Sequence, residues 1–180
     1  LGYFMFDTED SVYSQCSLDG KTALISKAAS MAADKGILLF SSAGNEGASS
    51  WGKITFRGDA EEIVTVGAVT DVKKKSTFSS IGFTADYRVK PDVVALGSGC
   101  SVVDASGNIT YANGTSFATP ILAGLSVCLW QAVPELTPKE MIDTLQRAGH
   151  ISSHPDAELG YGLPDLYKAY KSQCKHVSER

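Results

Sequence analysis

Residues 113–120 read Asn-Gly-Thr-Ser-Phe-Ala-Thr-Pro, and an apolar run follows from Phe117 to about Val133. Thr115 and Ser116 are residue types that often start helices, and a glycine before them permits a tight backbone approach. The pattern therefore predicts a helix that carries the hydroxyl of Ser116 in its first turn. The N–H groups and the positive dipole end of such a turn favour attack on a carbonyl and stabilise the resulting oxyanion. Taken alone, the stretch is equally typical of an ordinary helix cap.

A second stretch, residues 37–47, reads Ile-Leu-Leu-Phe-Ser-Ser-Ala-Gly-Asn-Glu-Gly. Its apolar start is typical of a short buried strand, and its last four residues are typical of a turn. Asn45 would then follow the carboxyl end of a strand, which is where open α/β sheets bind ligands. Its side-chain amide is a neutral donor suited to an oxyanion. The two stretches together predict that Ser116 and Asn45 converge on one reacting carbonyl.

These motifs resemble those of the subtilisin-like serine peptidases, the subtilases. Gly114-Thr115-Ser116-x-Ala118-Thr119-Pro120 is similar to the serine motif of that family, and residues 41–47 are similar to its oxyanion segment. Further similar stretches follow in the usual order: Leu1-Gly2-Tyr3, residues 65–69, Phe78-Ser79-Ser80-x-Gly82 and Lys90-Pro91-Asp92-Val93. The resemblance runs from residue 1 to about 170, and the chain most resembles versions from Bacteroidetes-type bacteria.

The resemblance implies the catalytic roles. Ser116 would be the nucleophile, and its backbone N–H and the Asn45 amide would bind the oxyanion. Thr115 would either support this site or cap the helix. Leu1 and Gly2 would lie along the bound peptide as an edge strand, a mode of recognition that relies on main-chain hydrogen bonds.

The resemblance also implies a pocket for the side chain before the scissile bond, bordered by Ser42, Ala43, Gly44 and Glu46. Glu46 would favour a basic substrate side chain there, or it is simply an acidic residue of a surface turn. Subtilases commonly carry a proline where this chain reads Phe56-Arg57-Gly58-Asp59. That departure leaves the floor of the pocket and any cation site beside it open.

In subtilases the catalytic Asp comes first, the His second and the Ser last. The Asp and His motifs precede the strand that Leu1 resembles, Asp19-Gly20 does not fit the Asp motif, and no histidine precedes Ser116. We therefore expect residues 1–180 to be the carboxyl-terminal part of a subtilase catalytic domain, with 1–171 ordered and 172–180 a tail. The catalytic Asp and His would belong to the missing amino-terminal half of that domain. A serine without an adjacent base is a poor nucleophile, so we expect these residues alone to be inactive.

The hydrophobic pattern predicts an α/β fold with a mainly parallel sheet and flanking helices, which is a partial subtilisin-like domain. Capping and turn signals set the element boundaries, including a capping box with proline at Thr137-Pro138-Lys139-Glu140. Helices are predicted over 21–35, 117–133, 138–148 and from 164, and strands over 37–40 and 63–69. Short strands or hairpins are predicted near 77–78, 92–95, 101–104 and 109–111, with a turn at 107–108.

Composition limits the partners. Hydrophobic residues make up 43% and charged residues 20% of the chain, which excludes a disordered protein. The net charge is −4 and the one cationic run is Lys73-Lys74-Lys75, so nothing indicates a nucleic-acid partner. No apolar stretch approaches the roughly 20 residues of a membrane span. The resemblance implies peptide or protein substrates and a secreted or cell-envelope location, and an uncovered sheet edge would permit a homodimer.

The four cysteines, at positions 16, 100, 128 and 174, show no metal-type clustering. Cys128 lies in the apolar helix and is expected to be a buried small hydrophobe. A disulfide between Cys16 and Cys100, or between Cys100 and Cys174, stays open. The resemblance implies no required cofactor. Calcium is common in subtilases, but no acidic loop has the spacing of a dedicated calcium site, so no metal ligand is predicted.

Two other functions fit part of the pattern. The parent could be a pseudoprotease that binds peptides. Alternatively, Ser116, Asp143 and His150 or His154 follow the order of an α/β-hydrolase-type esterase. The esterase motif lacks its last glycine here, and Asp143 falls inside a predicted helix only seven residues from His150.

Overall fold

A computed structural model describes residues 13–178, with side chains up to residue 174. The described elements begin with a short 3-10 helix at Gln15–Ser17. They continue with α1 Leu24–Ala33, β1 Phe40–Ser42, β2 Val64–Val69, β3 Val93–Leu96, β4 Cys100–Val103, β5 Ile109–Ala112, α2 Thr115–Ala132, α3 Pro138–Ala148 and α4 Leu166–Ser178. The predicted α/β fold class is confirmed.

Strands β1, β2 and β3 form a parallel sheet in that spatial order. The central strand β2 is buried at all six positions, and its sequence accordingly lacks the polar alternation of a half-exposed strand. Ser42 is opposite Val66 in the register, and Ala68 is opposite Ala95. Because the strands are parallel, the chain leaves β1 and β3 at the same edge of the sheet.

Helix α2 packs across one face of this sheet and contacts all three strands. The main core lies between them and extends to α3 and α4; its largest fully buried members include Val64, Val66, Val93, Leu122, Met141 and Leu145. The opposite face is covered by α1 and the loops beside it, in two smaller clusters that contain Phe56 and Ile63. The sheet is thus covered on both faces.

Gly97 brings the start of α2 to the carboxyl edge of the sheet. It follows β3, its N–H donates to the Val69 carbonyl at 3.0 Å, and its carbonyl accepts from the Gly114 N–H at 2.8 Å. A Cβ at Gly97 would lie 2.5 Å from the Ala68 Cβ and 2.9 Å from the Gly114 carbonyl oxygen. Only glycine therefore permits this close approach.

A buried ion pair links β2, β3 and α3. Lys90 Nζ donates to Asp92 Oδ2 at 2.6 Å and to the Ile63 carbonyl at 3.1 Å. The same carboxylate accepts from the Thr65 N–H at 2.6 Å and from Gln146 Nε2 at 2.9 Å. Both charged side chains are almost fully buried, so each depends on the other and on these hydrogen bonds.

The hairpin and the cap of α3 match their predictions. Strands β4 and β5 pair antiparallel, and Gly107 in the connecting turn has a φ of +84°, which suits glycine. Thr137 caps α3: its hydroxyl accepts from the Glu140 N–H at 3.3 Å, and Glu140 Oε2 accepts from the Thr137 N–H at 2.8 Å.

Three predicted boundaries are wrong. Helix α1 begins at Leu24 rather than residue 21, because Asp19 accepts hydrogen bonds from Lys21 and Thr22 in a separate turn. Strand β1 covers Phe40–Ser42 rather than 37–40, because ladder pairing with β2 starts only at Leu39. Residues 77–78 form a turn and no strand, closed by the Ser79 N–H and the Ser76 carbonyl at 2.9 Å.

The outer face of α2 differs from expectation. Cys128 is exposed rather than buried, since the sheet covers only the opposite face of the helix. Ile121, Leu125 and Val127 are 40%, 48% and 62% exposed on the uncovered side. No disulfide joins Cys16, Cys100, Cys128 or Cys174, so neither of the two candidate disulfides is formed.

The last helix extends beyond the predicted start of the tail. Helix α4 runs to Ser178, and Gln173 Nε2 donates to Thr144 Oγ1 on α3 at 2.9 Å. That contact holds the helix past Ser172. The division into residues 1–171 and 172–180 stays a prediction.

We expect Asp92→Asn to lower the free energy of unfolding by about 3–5 kcal/mol, because it leaves the Lys90 ammonium buried without a counter-charge. The control is Asp86→Asn, which removes the more exposed ion pair with Arg88 and should cost no more than about 1 kcal/mol. Urea unfolding monitored by circular dichroism measures both. Equal losses in the two variants would contradict this ranking.

Candidate active site

Asn45 lies three residues beyond β1, at the carboxyl edge of the sheet, and is exposed. Its side-chain oxygen Oδ1 accepts from the Thr115 N–H at 3.0 Å and from the Thr115 hydroxyl at 2.9 Å. Two donors thus hold the oxygen, which sets the orientation of the carboxamide. The amide nitrogen Nδ2 remains available as a donor on the side facing Gly114, where a Cβ would be 3.5 Å from it.

Thr115 is buried and is the first residue of α2. Its hydroxyl donates to Asn45 and accepts from the Gly44 N–H at 3.3 Å. The N-cap position belongs to Gly114, and no side chain caps the helix. Thr115 therefore joins the two motifs and does not cap its own helix. Its sequence context allows either support of the site or a helix cap, and the contacts fit the first of these.

Ser116 follows directly as the second residue of α2 and is exposed. Its hydroxyl makes no hydrogen bond to any side chain or backbone group of residues 13–178. Its N–H lies in the first helical turn, where backbone donors have no acceptor within the helix. The structure thus brings Ser116, Thr115 and Asn45 to one place at the start of α2.

The predicted pocket border, Ser42, Ala43, Gly44 and Glu46, is bonded to neighbouring loops on this edge, and we call these residues the wall. The Ala43 carbonyl accepts from the Thr55 N–H at 2.9 Å, and the Glu46 N–H donates to Ser80 Oγ at 2.9 Å. Gly44 has a φ of +109°, and a Cβ there would lie 2.7 Å from Thr55 Cγ2 and 2.9 Å from Ser80 Oγ. Ser42 ends β1 and is partly buried.

Thr55 and Ser80 support this wall and are not among the predicted site residues. Ser80 belongs to the Phe78-Ser79-Ser80 stretch that carries part of the family resemblance, so a signal for it existed. Thr55 has none, because it lies in a loop without periodicity. Leu1 and Gly2, the predicted substrate-binding strand, lie outside the described residues.

The described histidines do not complete a catalytic pair. His150 Nδ1 accepts from the Leu163 N–H at 2.8 Å, and His154 Nδ1 is bonded to Ser153 Oγ at 2.9 Å. Neither ring is bonded to Ser116. Over residues 13–178 no group of three or more His, Cys, Asp or Glu side chains is placed to hold a metal ion. The helices in this range are each too short or too polar to cross a membrane.

Comparison with protein families supports what the geometry indicates. The subtilase family (peptidase S8) matches residues 7–162, which is most of the chain. The chain belongs to the subtilase family. This membership and the partial subtilisin-like fold agree with the predicted resemblance. They overturn the α/β-hydrolase alternative, because that fold orders its catalytic motifs differently from a subtilase.

Individual subtilases are similar at moderate identity. Serine protease AprX of Bacillus subtilis is 34% identical over 132 residues, covering 62% of this chain and 30% of that protein. Subtilisin DY of Bacillus licheniformis is 32% identical over 127 residues, covering 70% of this chain and 44% of that protein. Subtilisin-like protease SBT6.1 of Arabidopsis thaliana is 29% identical over 148 residues, covering 75% of this chain and 14% of that protein. This chain thus spans less than half the length of these relatives.

Solved structures show the same fold. The self-cleaved protease domain of PatA superposes with a TM-score of 0.67 at 22% identity, covering 83% of this subtilase chain and 54% of that chain. MycP1 from Mycobacterium smegmatis superposes with a TM-score of 0.66 at 21% identity, covering 83% of this chain and 46% of the MycP1 chain.

We expect Thr115→Val to loosen the Asn45 carboxamide, which keeps only the bond from the backbone N–H of residue 115, and to cost about 1–3 kcal/mol of stability, because a buried hydroxyl that serves two partners is lost. The side-chain amide resonances of Asn45 in a ¹⁵N NMR spectrum should shift. The control is Thr119→Val, whose hydroxyl bonds only the Thr115 carbonyl within α2. Unchanged Asn45 resonances in Thr115→Val would contradict the positioning role.

Proposed function

We propose that the whole protein is a serine endopeptidase that hydrolyses peptide bonds through an acyl-enzyme, with Ser116 as nucleophile. The observation that carries this proposal is the Thr115–Asn45 pair, which orients a neutral amide donor beside an exposed serine at a helix start. Family membership supports it, since the relatives named above include proteins called serine proteases and subtilisins.

The chemistry follows from these positions. Ser116 Oγ attacks the carbonyl carbon of the peptide, its proton passes to a base, and the carbonyl oxygen becomes an oxyanion. Asn45 Nδ2 and the Ser116 N–H donate to that oxygen, and preorganised donors of this kind stabilise charge as it develops. The C–N bond then breaks, the amine leaves with the proton, and water hydrolyses the ester to regenerate the serine.

The base is not found among the described side chains, since neither His150 nor His154 is bonded to Ser116. We infer that a histidine, oriented by an aspartate, is supplied by an amino-terminal portion of the same catalytic domain. The outer face of α2 supports this inference, since a helix that is apolar on all sides is normally covered on all sides. Val127 is 62% exposed and lies 11 residues, about three helical turns, beyond Ser116 on the same side of α2. A segment that covers this side of the helix would extend toward the nucleophile.

The remaining assignments complete the proposal. Ser42, Ala43, Gly44 and Glu46 border the pocket for the side chain before the scissile bond, and Leu1 and Gly2 pair with the peptide backbone. The reaction needs no cofactor, and a structural calcium ion is not part of the proposal. The location is extracellular or in the cell envelope. We also propose a homodimer through the β1 edge of the described three-stranded sheet, and light scattering should then show a doubled mass.

The test is the activity of the longest reading frame that contains residues 1–180. We expect it to cleave casein and to react with a fluorophosphonate probe, and Ser116→Ala should abolish both. Asn45→Ala should lower kcat by about 10²- to 10³-fold, the magnitude that loss of one such donor has in subtilisin itself. The control is Asn108→Ala, in the exposed turn between β4 and β5. Peptide binding without cleavage would replace the peptidase by a pseudoprotease.

The 180 residues alone should react differently. We expect little or no fluorophosphonate labelling of this chain, because no histidine of the described range is bonded to Ser116 and an unassisted serine hydroxyl is a poor nucleophile. Mass spectrometry of the labelled chain measures the extent, with Ser116→Ala as the blank. Stoichiometric labelling of Ser116 would contradict this expectation.

A further inference from the structure

Arg57 has an unfavourable backbone conformation. Its φ is +82°, in the left-handed region that glycine adopts freely and that other residues occupy at a cost of about 1–3 kcal/mol. Glycine is absent from this position although it would remove the cost. A strained arginine at the edge of a candidate site therefore raises the question of what its side chain does.

The Arg57 guanidinium is partly buried and lacks an acidic partner among the described residues. Its Nε donates to Ser41 Oγ at 2.9 Å, and the ion pairs of residues 13–178 are Arg88–Asp86 and Lys90–Asp92. Burial lowers the pKa of the guanidinium, which still stays charged at neutral pH. The nearby carboxylate of Asp59 is itself buried and accepts from the Gly20 N–H and the Ser26 hydroxyl.

Arg57 lies beside the strand that leads into the pocket wall. Ser41, which it contacts, precedes the border residue Ser42 on β1. Two residues earlier, Thr55 donates to the Ala43 carbonyl and is in contact range of Gly44. The segment 55–57 thus runs beside residues 41–44. Ser41 holds the guanidinium through Nε, and the two terminal nitrogens of Arg57 have no hydrogen bond to the described residues.

We propose that Arg57 makes the pocket selective for an acidic side chain, glutamate or aspartate, immediately before the scissile bond. The proposal rests on the proposed peptidase function and names its substrate class. A carboxylate that enters the pocket would give the partly desolvated guanidinium a counter-charge, which none of residues 13–174 supplies, with the two-pronged geometry that arginine and carboxylate share.

Glu46 makes the opposite prediction, since as a pocket acid it would attract a basic side chain. The structure favours Arg57 by contact and burial. Arg57 is anchored to the strand that leads into the wall, whereas the backbone of Glu46 bonds Ser80 and Ser49 and its carboxylate has no described hydrogen bond. Arg57 is therefore the charged side chain that the structure fixes beside the wall, whereas no described bond fixes the Glu46 carboxylate.

The test compares kcat/KM of the whole protein on three peptides that differ only in glutamate, glutamine or lysine before the scissile bond. We expect glutamate to exceed glutamine by about tenfold, the effect of one charge-assisted hydrogen bond. Arg57→Gln should bring the ratio of the two to about one, and Arg57→Glu should shift the preference to lysine. The control Arg147→Gln, an exposed arginine on α3, should leave the ratio unchanged.

A ratio within one variant does not depend on the folded fraction, so loss of stability cannot imitate the effect. Arg57→Gly adds a second readout: it relieves the strained φ and should stay folded while losing the preference for glutamate. Cleavage of all three peptides at equal rates, or best cleavage of lysine, would overturn the role of Arg57 and leave the peptidase proposal intact. Cleavage of none would overturn the peptidase proposal and this one with it.

Discussion

Two hydrogen bonds from Thr115 to the side-chain oxygen of Asn45 hold the candidate site together. They join residues 70 positions apart, at the carboxyl edge of the sheet and at the start of α2. Because both bonds use the oxygen, the nitrogen of the same amide is left to face the position beside Ser116. One polar contact therefore sets the relative placement of Ser116 and Asn45, the proposed nucleophile and the proposed oxyanion donor.

That contact depends on close backbone packing beneath it. The chain turns from β3 into the hairpin at Gly97, whose carbonyl receives the Gly114 N–H, and no side chain could fit at Gly97. Below this edge, the Lys90–Asp92 pair links β3 to the Thr65 N–H on β2 and to Gln146 on α3. Burying such an ion pair costs desolvation free energy. In return, its hydrogen bonds favour one register of the strands, whereas apolar residues alone would pack in several ways.

Helix α2 combines two requirements in one segment. Its first turn leaves Ser116 exposed, as the proposed attack on a substrate requires, while the remainder is apolar on nearly every side. The sheet covers Ala118, Leu122 and Leu129, and the other side stays uncovered in the described structure. Sequence pattern predicted the helix but placed Cys128 in the interior, because composition alone does not tell which face of an apolar helix has a partner.

The local elements were determined by the sequence itself: the capping box of α3, the glycine turn between β4 and β5, the apolar run of β2 and the two motifs around Asn45 and Ser116. These features depend on neighbouring residues, and short-range geometry is enough to produce them. The tertiary structure alone decided what depends on distant partners. Thr115 bonds Asn45, 70 positions away, instead of capping its own helix, and Arg57 bonds Ser41, 16 positions away. Long-range contacts of this kind involve residues tens of positions apart, and only the folded backbone determines which of them meet.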